Sequence, residues 1–525
     1  MLSRVRRWTV QLGSVFHTAV IGVSIPIQLY TSNMGVVPLA RVIVPAAIAL
    51  LAASCLVAGG RIVTRDWSSR GIIVSLFLLS LRPLPALRHW SLAPLVVTEP
   101  GSAQTLVAAG YVGVAAVLVI LGVTRMGQLA RRATRDGLNV MAVVIVGMNV
   151  AAVVPYARTS VWREATHGLI EPMLTQAPER VTGESPDIFY IVLDGYARDD
   201  VLAGRYGMPD NPLTSYFESE GFYVARRSQA NYLQTFLSIA SSLNMVHLEA
   251  LSDVMRADQN RQPLRSMIED NAVVSILESL GYTTTLVSSD YYATQDMSQV
   301  DVCLCDTFHP SEFEFQWLSR TPLAFATQVM TAAYDAHRHK VLAGLDYLTL
   351  PPTGPGPHFV FAHLVAPHPP FVFGADGRPV TPDRDFGFHD GSHFGGDGDE
   401  YISGYRSQVA FINARLRDVV ESIKARAGLE PVIIVQSDHG PGSGLNWESS
   451  AGTDMTERSG ILSAYYLPGG GTELLYDSIS PVNTFRVVFN AYFGGTYPMQ
   501  PDRSSFSTWS APYEFIDVTE TAATR

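Results

Sequence analysis

The sequence predicts an α/β fold, a doubly wound and mostly parallel sheet, preceded by an α-helical transmembrane domain. Three observations predict it. The chain is 47% hydrophobic, and the apolar excess is confined to its first third, in runs long enough to cross a bilayer. Beyond Pro186, short apolar runs alternate with stretches of helical periodicity, as in strands joined by helical crossovers. Two of those runs stop abruptly on an aspartate, Asp194 and Asp438, and in open parallel sheets ligands gather beyond the carboxyl ends of the strands.

Residues 1–156 read as the transmembrane domain, with about five helices over 9–30, 36–58, 71–87, 104–124 and 138–156. The third stretch is interrupted by Arg82, Pro83 and Pro85. No A-x-A-like cleavage site follows the first, which is therefore read as a retained span rather than a signal peptide. Arginines mark the cytoplasmic loops: Arg4, Arg6 and Arg7 before span one, Arg61, Arg65 and Arg70 after span two, and Arg125, Arg131, Arg132 and Arg135 after span four. The alternate loops hold only Arg41, Arg82 and Arg88. By the positive-inside rule the N-terminus is cytoplasmic, and five spans deliver the remainder outside a plasma (inner) membrane. Residues 157–185 mix Trp162, Leu169 and Met173 with charges and prolines and read as a juxtamembrane linker. Residues 186–525 read as an extracytoplasmic catalytic domain.

Charge divides the chain in the same place. Through Arg158 there are 14 arginines against three acids; the rest carries 23 basic and 45 acidic residues. So acidic a domain is a poor nucleic-acid binder, since phosphate contacts need lysine and arginine. The cysteines form neither a disulfide framework nor a metal knuckle: Cys55 lies in an apolar segment, and Cys303 and Cys305 are two apart, at the edge of disulfide geometry.

In the second part, residues 187–193, 282–288, 358–364, 431–436 and 461–467 read as strands, and 266–280 and 400–427 as helices. The glycine- and aspartate-rich stretch 373–399 reads as a long surface loop over the site. The sequence PVIIVQSDHG ends a buried-type strand on Asp438 and His439, an oxygen and an imidazole nitrogen suited to Zn²⁺ or Mn²⁺. Alone, DHG is more simply a strand followed by a polar turn. The strand DIFYIVLDG places Asp194 at an equivalent end, so both carboxylates can reach one ion. Thr235 opens a run of small and apolar residues through Asn244 that suits a buried helix, where free N–H groups and the dipole favour phosphate. Its hydroxyl, beside a divalent cation, would be an activated nucleophile; taken singly, the residue is more simply an N-cap.

Together these residues resemble the alkaline phosphatase superfamily, in its membrane-anchored sulfatase-like branch of lipoteichoic acid synthases and phosphoethanolamine transferases. The resemblance implies one Mn²⁺ or Zn²⁺ held by Asp194, Thr235, Asp438 and His439, with Thr235 as the catalytic nucleophile. In AHLVAPHPPF, His368 stands at the place of a substrate-phosphate histidine, and His363 lies five residues earlier. Two features depart from the pattern. No histidine follows the Asp-His pair within 446–453; the nearest polar candidates beyond it are Glu457 and Arg458, of which the arginine could supply a planar phosphate contact instead. The CxPxR motif of true sulfatases is missing, which disfavours sulfate-ester hydrolysis.

The implied activity is a metal-dependent transfer of a phosphorus-linked head group from a membrane phospholipid to an envelope glycan or lipid through a phosphothreonine. A sulfatase-like phosphodiesterase or other ester hydrolase would use the same site with water as acceptor. A non-catalytic scaffold for envelope assembly is the alternative of another class, and retention of four converging ligands weighs against it. No protein partner is inferable.

Overall fold

The computed structural model describes residues 13, 15–84, 100–153, 160–179, 185–256, 258–289, 291–305, 310–325, 327–426 and 428–523. The chain forms two compact units, one of residues 1–158 with 310–333 and one of residues 159–309 with 334–525.

The first unit is helical. Helices Phe16–Thr31, Ala40–Gly59, Trp67–Ser80, Pro100–Arg125 and Gln128–Val153 overlap the five stretches expected as spans. Among the described residues, three helical stretches, Ala40–Ile62, Ala108–Arg125 and Gln128–Val153, are long and apolar enough to cross a membrane. Helix Trp67–Ser80 stops before Arg82 and Pro83; its 14 residues reach about 21 Å, short of a ~30 Å hydrocarbon core. Arg4, Arg6, Arg7 and Arg88, the first residues of span one and the last of spans three and five lie outside the described residues. Ile21, Ile72, Ile73, Val123 and Leu138 form an inner core, while Ile43, Leu51, Leu118 and Val143 are each over 60% exposed. Apolar residues on the outer face invert the soluble pattern and suit a lipid surround.

Segment 310–333 packs with these helices rather than with the sheet. Helix Glu312–Ser319 opens on a Ser311/Glu314 capping box and buries Phe313, Phe315 and Trp317. Ala324 just beyond it joins Leu84 and Ala108 in one cluster. An aromatic stripe on an eight-residue helix carries no address, so the sequence could not separate this segment from the domain around it. The stretch expected as a linker likewise contains helix Ser160–Thr175 and belongs to the second unit. Its Met173 carbonyl accepts from Tyr497 Oη (2.9 Å).

The second unit is built on strands β1 (Ile188–Leu193), β2 (Tyr223–Val224), β3 (Thr283–Val287), β4 (Val302–Cys303), β5 (His358–Leu364), β6 (Val432–Ser437) and β7 (Ser463–Tyr466). Their order is β2-β7-β6-β1-β5-β3-β4. β1 pairs parallel with β5 and β6, and β7 runs antiparallel to β6 and β2. The five expected strands all appear, and the two-residue strands β2 and β4 at the edges are too short for a sequence signal. Every residue of β1, β5 and β6 is buried, as strands covered on both faces must be. The stretch expected as one helix over 266–280 is two, Gln262–Glu269 and Ala272–Ser279; between them the Asn271 side chain caps the second through the Val274 amide. Cys303 and Cys305 are joined as a disulfide.

Candidate active site

The register of the central strands assembles the site. Leu193 at the end of β1 pairs with Ser437 at the end of β6 and with Leu364 at the end of β5. The residues that follow, Asp194, Asp438 and His439, therefore leave the sheet side by side. Ligand atoms of these three lie within 4.8 Å of one another, all buried. His439 Nε2 is 3.5 Å from Asp194 Oδ1 and 3.3 Å from Asp438 Oδ2.

Helix Thr235–Asn244 brings the fourth residue. Thr235 Oγ1 lies 3.0 Å from His439 Nε2, and Ser238 Oγ donates to the Asp438 carbonyl (2.7 Å). Thr235 is the first helical residue, and the N-cap is Gln234. The capping explanation for Thr235 therefore does not apply. The Gln234 side chain faces the other way, donating to Ser507 and accepting from Arg261. At the far end the helix closes on Met245 in the left-handed conformation, φ 58°; the buried Arg486 donates twice to the Met245 carbonyl (3.0 and 2.6 Å) and holds it there.

These residues fit a divalent ion. Asp194 Oδ1 and Asp438 Oδ2 are buried without a hydrogen-bond partner, a costly state unless something cationic fills the gap. The other Asp438 oxygen accepts from the Gly195 and His439 amides (3.2 and 2.9 Å), which aims Oδ2 at the gap. His439 Nδ1 donates to the Gly440 carbonyl (3.0 Å), so Nε2 presents its lone pair. An ion about 2.0–2.1 Å from tetrahedral ligands sets them about 3.4 Å apart, close to the two His439 distances. Burial and the Arg458 charge hold His439 below the ordinary histidine range, which keeps the imidazole neutral. Burial opposes charge on Asp194, but His368, His363 and His439 hold its carboxyl well below the usual carboxylate range.

The glycine of the DHG motif is required by close approach. A Cβ on Gly440 would stand 2.0 Å from the Glu457 carbonyl oxygen, and the Gly440 amide donates to the Arg458 carbonyl (2.8 Å). That contact brings helix Met455–Ser459 and its Arg458 against the site.

Arg458 is fully buried. Its Nη2 is 3.2 Å from His439 Nε2, and its Nη1 donates to Asp390 Oδ2 (2.7 Å) and to the Gly440 carbonyl (2.9 Å). His368 follows β5 in a turn held by its amide on the Asp194 carbonyl (3.0 Å). Its Nδ1 donates to the Pro369 carbonyl (2.5 Å), and its Nε2 stands 3.7 Å from Asp390 Oδ2. His363, read as a substrate contact, faces the protein with both ring nitrogens: Nδ1 is 2.6 Å from Thr294 Oγ1 and Nε2 is 3.5 Å from Asp194 Oδ2.

One residue of the cluster was not singled out from the sequence. Asp390, in the long loop, joins Arg458 to His368 and accepts from Tyr401 Oη (2.7 Å). Burial works against its charge, yet Arg458 and His368 keep its carboxyl below the usual range. Nothing in HDGSHFGGDG distinguishes this aspartate from Asp385 or Asp397; its role comes from contacts with residues 22 and 68 positions away.

A Sulfatase family model matches residues 186–486. Among curated proteins none matches the chain. Among solved structures, the C-terminal periplasmic domain of EcEptC from Escherichia coli, in complex with Zn, is similar at 12% identity and a TM-score of 0.42, over 65% of this chain and 94% of that one. The phosphonate monoester hydrolase of Agrobacterium radiobacter is similar at 13% identity and a TM-score of 0.41, over 61% and 80%. The soluble domain of lipooligosaccharide phosphoethanolamine transferase A from Neisseria meningitidis is similar at 14% identity and a TM-score of 0.38, over 60% and 91%.

Proposed function

The chain belongs to the sulfatase family of enzymes, in the alkaline phosphatase superfamily, and from that premise we propose that it transfers a phosphorus-linked head group from a membrane phospholipid to an envelope glycan or lipid. The observation that carries this reading is Thr235: a hydroxyl on the first residue of a buried helix, 3.0 Å from His439 Nε2 and beside two carboxylate oxygens that lack partners.

Asp194, Thr235, Asp438 and His439 would hold one Mn²⁺ or Zn²⁺, whose charge makes the threonine hydroxyl more acidic and offsets charge growing on phosphoryl oxygens. Thr235 Oγ1 attacks phosphorus at the helix N-terminus, where free backbone N–H groups favour the anion. The bond from phosphorus to the glyceride oxygen breaks, leaving the head group on Thr235 as a phosphodiester. The Nδ1–H of His368 is engaged by Pro369, so Nε2 carries a proton only in the imidazolium form; in that form it protonates the departing glyceride oxygen, while the proton of the Thr235 hydroxyl passes to solvent. Arg458, paired with Asp390 and 5.2 Å over the Trp447 ring, has its Nε and Nη1 engaged by Leu233, Asp390 and Gly440 and offers the same group an Nη2–H and its fixed positive charge. The acceptor hydroxyl then gives its proton to the neutral His368 Nε2 as its oxygen attacks phosphorus, the bond from phosphorus to Thr235 Oγ1 breaks, and the threonine oxygen takes up a proton from solvent. His363, between Thr294 and Asp194, positions the carboxylate rather than the substrate.

Mass spectrometry of Thr235 after incubation with head-group-labelled phospholipids tests the covalent step. A labelled adduct on Thr235 is expected, discharged on addition of acceptor. Consumption of lipid with no adduct on Thr235 at any time after rapid quenching would overturn the reading.

We further propose that the chain is a multi-pass protein of the plasma (inner) membrane with a cytoplasmic N-terminus and residues 186–525 outside. The arginines that flank the helices support it. A reporter fused after Arg525 and active only outside the cytoplasm is the expected outcome. Activity of a cytoplasm-only reporter at that position would refute it.

A further inference from the structure

Strands β1, β5 and β3 are neighbours in the sheet, and side chains link them where the candidate site begins. His363 on β5 pairs with Val192 on β1, two residues before Asp194, and Ala362 pairs with Val287, the last residue of β3. The chain leaving β3 therefore passes beside His363, and it brings Ser288, Ser289 and Thr294, all buried. The imidazole is held from that side. Its Nδ1 lies 2.6 Å from Thr294 Oγ1. Its Nε2 is buried with no hydrogen-bond partner and faces Asp194 Oδ2 at 3.5 Å. The hydrogen bond that fixes the direction of the ring thus comes from Thr294, and the nitrogen so directed meets a carboxylate of the candidate metal site.

Donors and acceptors give this row a direction. An ionised carboxylate only accepts, so the hydrogen facing Asp194 sits on Nε2, and Nδ1 of the neutral ring is an acceptor. Thr294 donates to it. At 2.7 Å from Ser289 Oγ, one of the two hydroxyls must donate to the other; the Thr294 hydrogen is already placed, so Ser289 is the donor. Ser289 Oγ in turn accepts from the Tyr291 amide (3.1 Å). The turn itself is closed without these hydroxyls: the Thr294 amide donates to the Tyr291 carbonyl (3.0 Å) and the Ser289 amide to the Thr294 carbonyl (3.3 Å). The Thr294 hydroxyl is therefore surplus to the turn and spent on the imidazole.

We propose that Thr294, backed by Ser289, is a positioning residue for the divalent-ion site: it fixes the tautomer and direction of His363, which steadies Asp194 Oδ2 and leaves the unpartnered Oδ1 for the ion. This rests on Asp194 being a metal ligand, as in the proposed function, and not on which group is transferred. Outer partners of this kind set metal affinity because a carboxylate free to rotate must be ordered again each time an ion binds.

The test is competition of the metal-free full chain, in nanodiscs, against a chromogenic chelator for Mn²⁺ or Zn²⁺. Thr294→Val keeps the volume and removes the hydroxyl; the dissociation constant should rise about tenfold or more, as for other residues that orient a metal ligand. Thr294→Ser restores a donor and should recover most of the lost affinity. In a His363→Phe background, itself weakened, Thr294→Val should change nothing further, because the two side chains act as one. A hydroxyl that served only the turn would cost the same affinity with and without His363. Should Thr294→Val fail to show a cooperative melting transition, Ser289→Ala carries the same comparison, with a several-fold loss expected that vanishes in His363→Phe. Unchanged affinity in the folded variant, or an equal loss in both backgrounds, would overturn the assignment while leaving the metal site in place. Failure of the unaltered chain to bind either ion would overturn the metal site itself, and this assignment with it.

Discussion

Thr235→Ala should abolish turnover, by about three orders of magnitude or more, while leaving a folded protein that still binds metal. Removal of a nucleophile takes away the bond-forming atom itself, and the remaining site supplies only binding and charge. Metal retention follows because Asp194, Asp438 and His439 stay in place. The structural cost is modest: Thr235 sits inside the first turn with Gln234 as the cap, so no capping bond is lost, and deleting one buried hydroxyl costs about 0.5–1.5 kcal/mol. Thr235→Ser keeps an attacking oxygen and should keep measurable activity. Initial rates on an aryl phosphodiester, with bound metal quantified on the same samples, read both effects. Near-normal turnover in Thr235→Ala would eliminate the covalent route and require another nucleophile.

Asp438→Asn should have the second-largest effect, and in two opposite directions. It preserves shape, and an asparagine oxygen can still accept from the Gly195 and His439 amides as Asp438 Oδ1 does. It removes the negative charge whose other oxygen has no partner. Metal affinity should fall by more than about 100-fold, since even residues that only orient a ligand are worth 10- to 100-fold, and activity should fall with it. The metal-free protein should be as stable as before or more so, because two buried carboxylates no longer share one pocket. The readout is the melting temperature with and without Mn²⁺ or Zn²⁺. At a metal concentration 100 times Kd the unaltered chain gains about 2.7 kcal/mol, and the variant should gain almost nothing at that concentration. Undiminished metal content in purified Asp438→Asn would remove Asp438 from the ligand set.

Particular residues show which parts of the site could be read in advance. Asp194 and Asp438 were visible because a buried strand is a continuous apolar run, and a carboxylate that terminates it has no packing reason to be there. Thr235 was visible because small and apolar residues follow it at once, which marks a buried helix start. His439 and His368 stood out by position, the first beside a carboxylate and the second among prolines past a strand end. The contacts of His363 could not be read this way. Its place on β5 was legible, but that its ring meets Thr294 and Asp194 depends on which strands are neighbours.

The sequence alone determined the strands of the central sheet, the apolar helices of the first part, and the chemical types gathered at the strand ends, because each is a local pattern of hydrophobicity and period. Tertiary structure alone decided that β1 lies between β5 and β6, so that three separate strand ends converge. It also decided that Gly440 lets Arg458 approach His439, that Asp390 in a long loop pairs with that arginine, and that segment 310–333 leaves the sheet domain to pack with the apolar helices. Each of these depends on contacts between residues far apart in the chain, where hydrogen bonding and packing, rather than any local periodicity, select the partner.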